Sequence, residues 1–293
     1  MEWTFATPEP VELSAGLHAG SLTVVAEARD DTIVTITGRR SEVFDVAQSG
    51  RTIVVRPPRE WQDTGRHEIH IRLPAESDLD IGAGAADVDL QTPGCRLGEV
   101  SAKTGSGSIR IDRVGTAALS SGSGTIRCDE VEQVRAKSGS GDISVGRLSA
   151  DATISTGSGD VRLDDAAGAV AVKTGSGDLT VGQLAGDVRY GTASGLLTVE
   201  LVRRGRVDAK TASGGVRLGI AAGTPVWTEI VSAFGRVESH LPHVGEPAPG
   251  QDSVRVRVHS ASGKVVLVPI DAPPQDAPAP PQDEPLAPQD APV

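Results

Sequence analysis

The chain has 293 residues, of which 35 are glycine and only 2% are aromatic, and its formal net charge is −11. This charge argues against binding to nucleic acid or to anionic membrane surfaces, because both reward patches of Lys and Arg. With so few aromatic side chains, the core has to be built from Val, Ile, Leu and Ala, which suits narrow, layered β-structure. The two cysteines, Cys95 and Cys128, give no disulfide framework.

The first residues, MEWTFATPEPVEL, lack the basic region and the apolar run of a secretory signal. No stretch approaches the roughly 20 apolar residues that span a bilayer. The sequence therefore predicts a cytoplasmic protein without membrane insertion. Export by a non-classical route, or a misassigned start, is the alternative for a surface location.

Residues 1–80 predict an N-terminal β-strand cap, because apolar and polar side chains alternate there between turn signals. The predicted strands are SLTVVAEA (21–28), TIVTITG (32–38), VFDVAQSGRTIVVRPP (43–58) and RHEIHIRLP (66–74). Within the third of these, QSGR at 48–51 predicts a hairpin turn.

Residues 81–268 contain a repeated unit of 17 to 19 residues, which indicates a solenoid. Seven clear units start at Thr104, Ser121, Ser138, Thr156, Thr174, Thr192 and Thr211. A looser copy starts at Ala83, and two more follow at Ser232 and Ser260. The pattern predicts about ten coils, each stacked on the next in the chain at about 4.8 Å.

Four apolar columns recur in these units with a period of two, which is typical of the inward positions of strands. The columns of the first unit are Ile109, Ile111, Val114 and Leu119, and the third column reaches Ala221 in the seventh unit. Each coil is therefore predicted to hold two short strands and two turns, so the fold class is an all-β, two-sheet β-solenoid. Outside the columns, a lysine precedes the start of every second unit, at Lys103, Lys137, Lys173 and Lys210.

The repeated GSG, which follows the first residue in five of the seven clear units, favours a tight corner, where glycine supplies positive φ and small residues relieve crowding. The column from Ser106 to Ser213 is predicted to satisfy turn backbone groups with its hydroxyls. A phosphate-binding loop is disfavoured because a strand, not a helix, follows the glycines. Binding of a cation between the stacked Asp142, Asp160 and Asp178 stays open as an alternative. The favoured interpretation is that these are exposed turn carboxylates, because hard cations take six or more oxygen ligands.

Residues 269–293 are rich in Pro, Ala, Gln and Asp and predict a disordered tail.

The segment IRLPAESDLDIGAGAADVDL (71–90), the serial [ST]GSGD units, SAFGRVESHLP and VHSASGKVVLV together resemble the bacterial putative adhesin family of β-strand-repeat domains. The resemblance covers roughly residues 15–268. It implies a β-solenoid with an adhesin-like or surface-scaffold role, and it transfers no active-site residue.

The residues point to no catalytic, cofactor-binding or metal site. His67 and His70 fall on opposite faces of a strand, and His240 and His243 flank a proline in a loop, so neither pair predicts a zinc site. Cys128 replaces Ile or Val in an inward column and is predicted to be a core residue.

The sequence thus predicts a non-enzymatic binding or scaffold surface for an unknown macromolecular partner, of which a protein is one candidate. The alternative is a self-assembling, bactofilin-like cytoplasmic scaffold. A glycan-active β-helix enzyme is less favoured, because no acid/base constellation is present and the constant coil length leaves no loops to wall a pocket.

Overall fold

The computed structural model describes residues 1–57, 65–242 and 250–271, and nearly all of its regular structure is β-strand. The strands are β1 Glu2–Ala6, β2 Glu12–Glu27, β3 Asp31–Thr37, β4 Asp45–Ser49, β5 Thr52–Arg56, β6 His67–Pro74, β7 Asp78–Gln91, β8 Leu97–Thr104, β9 Ile109–Ser121, β10 Ile126–Ser138, β11 Ile143–Leu148, β12 Ala152–Thr156, β13 Val161–Ala166, β14 Val170–Thr174, β15 Leu179–Leu184, β16 Val188–Thr192, β17 Leu197–Val202, β18 Gly205–Thr211, β19 Val216–Ala221, β20 Val226–Ser232, β21 Val237–Ser239, β22 Val254–Ser260 and β23 Val265–Ile270. A single 3₁₀ turn at Ser41–Val43 precedes β4. The predicted all-β class is confirmed.

The coils stack in parallel and in register, which confirms the predicted solenoid. We call the sheet that contains β12, β14, β16, β18, β22 and β20 the first sheet, and the sheet that contains β11, β13, β15, β17, β19, β23 and β21 the second sheet. Equivalent residues of successive units pair directly, as Ile143 does with Val161. Strands β9 and β10 run through both sheets without a break.

Antiparallel strands extend both sheets at the N-terminal end of the rod. Strand β2 spans both sheets and pairs in parallel with β7 on one side and with β5 and β6 on the other. Beyond these, β4 pairs antiparallel with β5, β3 with β6, and β1 with β3. The β4–β5 pair confirms the hairpin at 48–51, and Gly50 has a φ of 61° in its turn. The division of the chain at residues 80 and 268 stays a prediction.

The last two coils stack in the reverse of their chain order. The prediction that every coil stacks on the next in the chain is wrong here, because β22 lies between β18 and β20, and β23 lies between β19 and β21. The coil made of β20, β21 and the corner between them is therefore outermost, and we call it the terminal coil. The reversal is physically permitted because each coil needs only a neighbour with the same strand spacing.

The core is one continuous cluster of Val, Ile, Leu and Ala along the rod. The predicted inward columns are buried, including Cys128 at 1% exposure. One member is wrong: the pairing between β17 and β19 shifts between Val199 and Val202, so Ile220 rather than Ala221 occupies the third column of the seventh unit. Such a local irregularity moves the next side chain to the other face of the strand.

The corner glycines are required by close approach and not by positive φ, so that part of the prediction is wrong. None of the GSG glycines from 105 to 177 has positive φ. An added Cβ at Gly177 would instead lie 1.9 Å from the carbonyl oxygen of Gly159, and one at Gly124 would lie 1.9 Å from that of Gly107. Backbone thus stacks directly on backbone at this corner, which leaves no room for a side chain.

Candidate binding surfaces

The terminal coil carries four of the seven exposed large hydrophobic residues of the described chain. They are Trp227 at 52%, Val231 at 55%, Phe234 at 89% and Val237 at 46% exposure. Exposed apolar residues that cluster in one place mark interaction sites, whereas scattered ones are ordinary. Sequence reasoning missed this cluster.

The four residues are exposed for two different reasons. Trp227 and Val231 pair with Arg255 and His259 and point outward from the first sheet. Val237 pairs with the buried Val265 and lies in an inward column, but no further coil covers it among the described residues. The coil thus presents apolar side chains on its outer face and at the end of the rod.

Phe234 lies at the corner of the terminal coil, in the column where interior units have serine. The equivalent residues are Ser213 in the seventh unit and Ser262 in the neighbouring coil. A phenylalanine with 89% of its surface exposed gains little from folding, because its apolar surface stays in water. The departure from the repeat pattern was the available signal for this residue.

Strands β20 and β21 each have a neighbour on one side only within the described part of the chain. The outer side of β20 therefore offers N–H and C=O groups for pairing with another strand, which is the usual property of an edge strand. Edge strands of this kind accept an added strand from a partner.

Ion pairs on both sheets tie the terminal coil to its neighbour. Arg257 Nε lies 2.9 Å from Glu229 Oε2 on the first sheet, and Lys264 Nζ lies 2.7 Å from Glu238 Oε2 on the second. The hydrogen bond from Lys264 lowers the pKa of the Glu238 carboxyl. The guanidinium carbon of Arg255 also lies 5.5 Å from the ring centroid of Trp227, a cation–π distance. These contacts hold the coil in place although its outer side is open.

The stacked aspartates act as hydrogen-bond acceptors between coils. The backbone N–H of Asp160 donates to Asp142 Oδ1 at 2.9 Å, and that of Asp178 donates to Asp160 Oδ1 at 2.8 Å. Asp178 Oδ1 in turn accepts the N–H of Leu196 at 2.8 Å. No group of three or more His, Cys, Asp or Glu suited to a metal ion occurs within residues 1–57, 65–242 and 250–271. The geometry therefore gives these carboxylates a role in the corner.

The hydroxyls that cap the corners come from the first residue of the threonine-led units and of the unit at Ser232, and not from the predicted serine column. The Oγ atoms of Ser138 and Ser260 have no hydrogen-bond partner among the described residues. Thr174 Oγ1 accepts the N–H of Gly177 at 2.9 Å, and Thr211 Oγ1 accepts that of Gly214 at 2.7 Å. Ser106 and its equivalents are exposed. The acceptor has to lie inside the corner to reach this N–H, and only the buried first residue does.

The cysteines and histidines form no reactive centre that the structure describes. Burial and, to a lesser extent, the charge of Asp129 raise the pKa of the Cys128 thiol to about 12. Cys95 donates to the carbonyl oxygen of Ala26 at 3.0 Å, and burial raises its pKa. His67 Nε2 contacts the carbonyl oxygen of Arg39 at 2.8 Å. His243 lies outside the described residues.

In the described part of the chain, no helix has the length and hydropathy needed to cross a membrane.

Three solved structures are similar in fold, and each is described as a putative adhesin. That from Bacteroides fragilis is 12% identical with a TM-score of 0.44 and covers 92% of this chain and 96% of its own. Those from Parabacteroides distasonis and Parabacteroides merdae are 10% and 9% identical, with TM-scores of 0.37 and 0.38, and cover 92% of this chain and 96% and 95% of theirs. At these values the likenesses carry no argument about binding. No curated protein matches the chain.

A family model described as Toastrack DUF4097 matches residues 12–226, well over half of the 293 residues. The match ends where the terminal coil begins at Val226. The resemblance seen in the sequence is thereby confirmed at the level of the family. The chain belongs to the family described as Toastrack DUF4097.

Proposed function

We propose that this protein is a non-enzymatic, adhesin-like binding module that docks a protein partner on its terminal coil. The observation that carries the proposal is the concentration of exposed Trp227, Val231, Phe234 and Val237 on one coil of an otherwise polar rod. Aromatic residues are enriched where proteins bind each other, and a few such side chains supply most of the binding energy.

The free edge of β20 supplies the second half of the binding mode. A strand from the partner pairs with the outer side of β20, and its side chains contact Trp227 and Val231 on the outer face of the first sheet. Main-chain hydrogen bonds then give affinity, while the apolar contacts give specificity. The two ion pairs to Arg257 and Lys264 keep the edge fixed before the partner arrives. A rigid edge loses less entropy on binding than a flexible one.

The test replaces two of the exposed side chains by those that interior coils have at the same positions and truncates the third. Phe234→Ser restores the serine of Ser213, and Val231→Lys restores the lysine of Lys210, while Trp227→Ser removes the exposed ring. The triple variant should fold normally, because all three side chains are exposed. It should lose a partner that wild-type protein captures from an extract of the native cell.

Val43→Ser is the matched control, because Val43 is 45% exposed and lies outside the terminal coil. It should capture the partner as wild type does. Equal capture by the triple variant and by wild type would exclude the terminal coil as the docking surface, and absence of a specific partner would exclude the proposal.

The second candidate function is self-assembly, and the same free edge favours it. Two copies that pair β20 with β20 about a two-fold axis use each terminal coil once, so they close as a dimer and not as a filament. Antiparallel strands occupy the opposite end of the rod. Sedimentation over a wide concentration range separates the candidates: a docking module stays a 30.1 kDa monomer, and a self-assembling one forms a dimer that the triple variant abolishes.

A further inference from the structure

The outer face of the first sheet contains a groove of about 380 Å³ centred on Gly191. Nothing lies within 4 Å of the position that a Cβ of residue 191 would occupy. Gly191 pairs with Lys173 on one neighbouring strand and with Lys210 on the other. The two lysine side chains therefore flank the groove, and Gly191, which has no side chain, forms its floor. A concavity of this size can hold a small ligand or one part of a polymer.

The groove is cationic although the whole chain is acidic. Lys173, Arg189 and Lys210 line it, are exposed, and form no ion pair with any residue in the described ranges. Arg257 also lines it but is paired with Glu229. A local cluster of unpaired cations produces a positive potential that attracts anions even when the net charge is negative.

A hydrogen-bond acceptor without a partner lies among these cations. Asp208 lines the groove and pairs in register with Arg189 and Arg257 on the two neighbouring strands. Its Oδ1 atom is buried and has no hydrogen-bond partner among the residues that the structure describes. An unsatisfied buried acceptor is unfavourable. Because this atom has almost no surface in contact with solvent, a ligand hydroxyl reaches it when the carboxylate of Asp208 rotates towards the groove.

The groove belongs to a longer row of lysines along the rod. In register, the row runs through Lys103, Ser120, Lys137, Ser155, Lys173, Gly191, Lys210 and His259. Lysine thus recurs on every second strand, at a spacing of about 9.6 Å for strands about 4.8 Å apart. The residues between the lysines are small, so a ligand can lie close to the sheet.

We propose that this lysine row binds a linear acidic polysaccharide in which a carboxylate-bearing sugar alternates with a neutral one. Two linked sugar rings span a length close to the lysine spacing, so each carboxylate meets one lysine. The neutral sugars lie over the small residues, and at Gly191 a sugar enters the groove and donates a hydroxyl to Asp208. The ligand is recognised by charge and hydrogen bonds, so the low aromatic content does not oppose it.

The spacing favours this ligand over nucleic acid. The phosphates of one strand of duplex DNA advance by about 3.4 Å each along the helix axis and wind around it, so they do not form a straight row that follows the lysines. Single strands bind by stacking of bases on aromatic side chains, and no aromatic residue lies in the lysine row.

The test measures binding of a hyaluronan oligosaccharide, in which glucuronate alternates with a neutral sugar, by titration calorimetry. Dextran is the neutral comparison. Wild-type protein should bind hyaluronan and not dextran, and the affinity should fall as salt increases. The double variant Lys173→Gln/Lys210→Gln should bind about tenfold more weakly, since each exposed ion pair contributes modestly. Gly191→Leu should also weaken binding, because it fills the groove and leaves every charge in place.

A matched control separates an effect of the lysine row from a general effect of positive charge. Arg127→Gln/Arg162→Gln makes the same change in charge on the outer face of the second sheet and should bind like wild type. The proposal is overturned if wild type does not bind hyaluronan, or if it binds dextran equally. An equal loss of hyaluronan affinity in both double variants also overturns it, as does a Gly191→Leu variant that binds hyaluronan as tightly as wild type. Preferential binding to single-stranded DNA or to phosphatidylglycerol vesicles, with no competition from hyaluronan, assigns the row to another polyanion.

Discussion

The backbone stack at the corners makes Gly177→Ala a sharp test of the solenoid. The new Cβ would lie 1.9 Å from the carbonyl oxygen of Gly159 and 2.7 Å from its carbonyl carbon. Both atoms belong to the backbone of the neighbouring coil, so contact can be relieved only if the coils separate. Overpacking of this kind typically costs about 1–3 kcal/mol.

Displacement of Gly177 away from Gly159 would also weaken two hydrogen bonds that Gly177 forms. The N–H of Gly177 donates to Thr174 Oγ1 at 2.9 Å, and the hydroxyl of Tyr190 donates to the carbonyl oxygen of Gly177 at 2.9 Å. Each contributes about 1 kcal/mol. Against this, alanine lowers the entropy of the unfolded chain and stabilises by about 0.4–1 kcal/mol. The free energy of unfolding should therefore fall by about 2–4 kcal/mol.

Urea unfolding followed by far-UV circular dichroism measures this loss as a shift in the midpoint at constant slope. Gly191→Ala is the control, because nothing lies within 4 Å of its Cβ and its φ is not positive. It should unfold at the wild-type midpoint or slightly above it. If Gly177→Ala and Gly191→Ala share one midpoint, the coils do not stack backbone on backbone at this corner.

Three further predictions concern the core, the aspartates and the buried thiol. Ile143→Asp should abolish cooperative folding, because an unpaired carboxylate in the core costs several kcal/mol. Arg110→Asp on the outer face should cost less than about 1 kcal/mol. A wild-type urea transition for Ile143→Asp would refute the assignment of Ile143 to an inward column. Calcium should leave the melting temperature unchanged, since Asp160 already accepts the N–H of Asp178, and a large rise would show a bound ion. Burial raises the pKa of Cys128 from 9.0 to about 12, so its stabilising contribution is complete below pH 9.0 and is lost as the pH rises towards 12. Cys128→Val should therefore lose less stability over that interval than wild type, and equal losses would contradict a buried thiol.

The fold could be predicted from the sequence because one pattern repeats in every coil. The period of two placed Ile143 and its equivalents in the core, and the spacing of units fixed two strands per coil. The order of the last two coils could not be predicted in the same way. Gly235 and Gly263 both occupy the stacked corner, so either coil fits on the seventh unit.

The polar Thr228 and the corner residue Phe234 are the features that distinguish an end coil from an interior one. Thr228 pairs with the buried Val256, so a polar residue occupies an inward column there. Terminal repeats commonly depart from the repeat pattern in this way.

The candidate surfaces were less accessible to sequence reasoning. The alternating lysines are visible in the sequence, but the open space at Gly191 and the unpartnered oxygen of Asp208 depend on which strands are neighbours. The exposure of Val237 likewise depends on the outermost position of its coil. The assignment of no catalytic, cofactor-binding or metal residue, the cytoplasmic location and the disordered tail stay predictions, and residues 272–293 lie outside the described chain.

The outermost position of the terminal coil is tested most directly by engineered disulfides in a Cys95→Ser/Cys128→Val background. If β22 lies between β18 and β20, Lys210 pairs with His259, at a strand spacing of about 4.8 Å, and Val231 lies two strands away, at about 9.6 Å. A disulfide requires Cα atoms about 4.4–6.8 Å apart. Lys210→Cys/His259→Cys should therefore oxidise to an intramolecular disulfide, and Lys210→Cys/Val231→Cys should not. A disulfide in the second pair and none in the first would contradict the reversed order and remove the free edge on which docking depends.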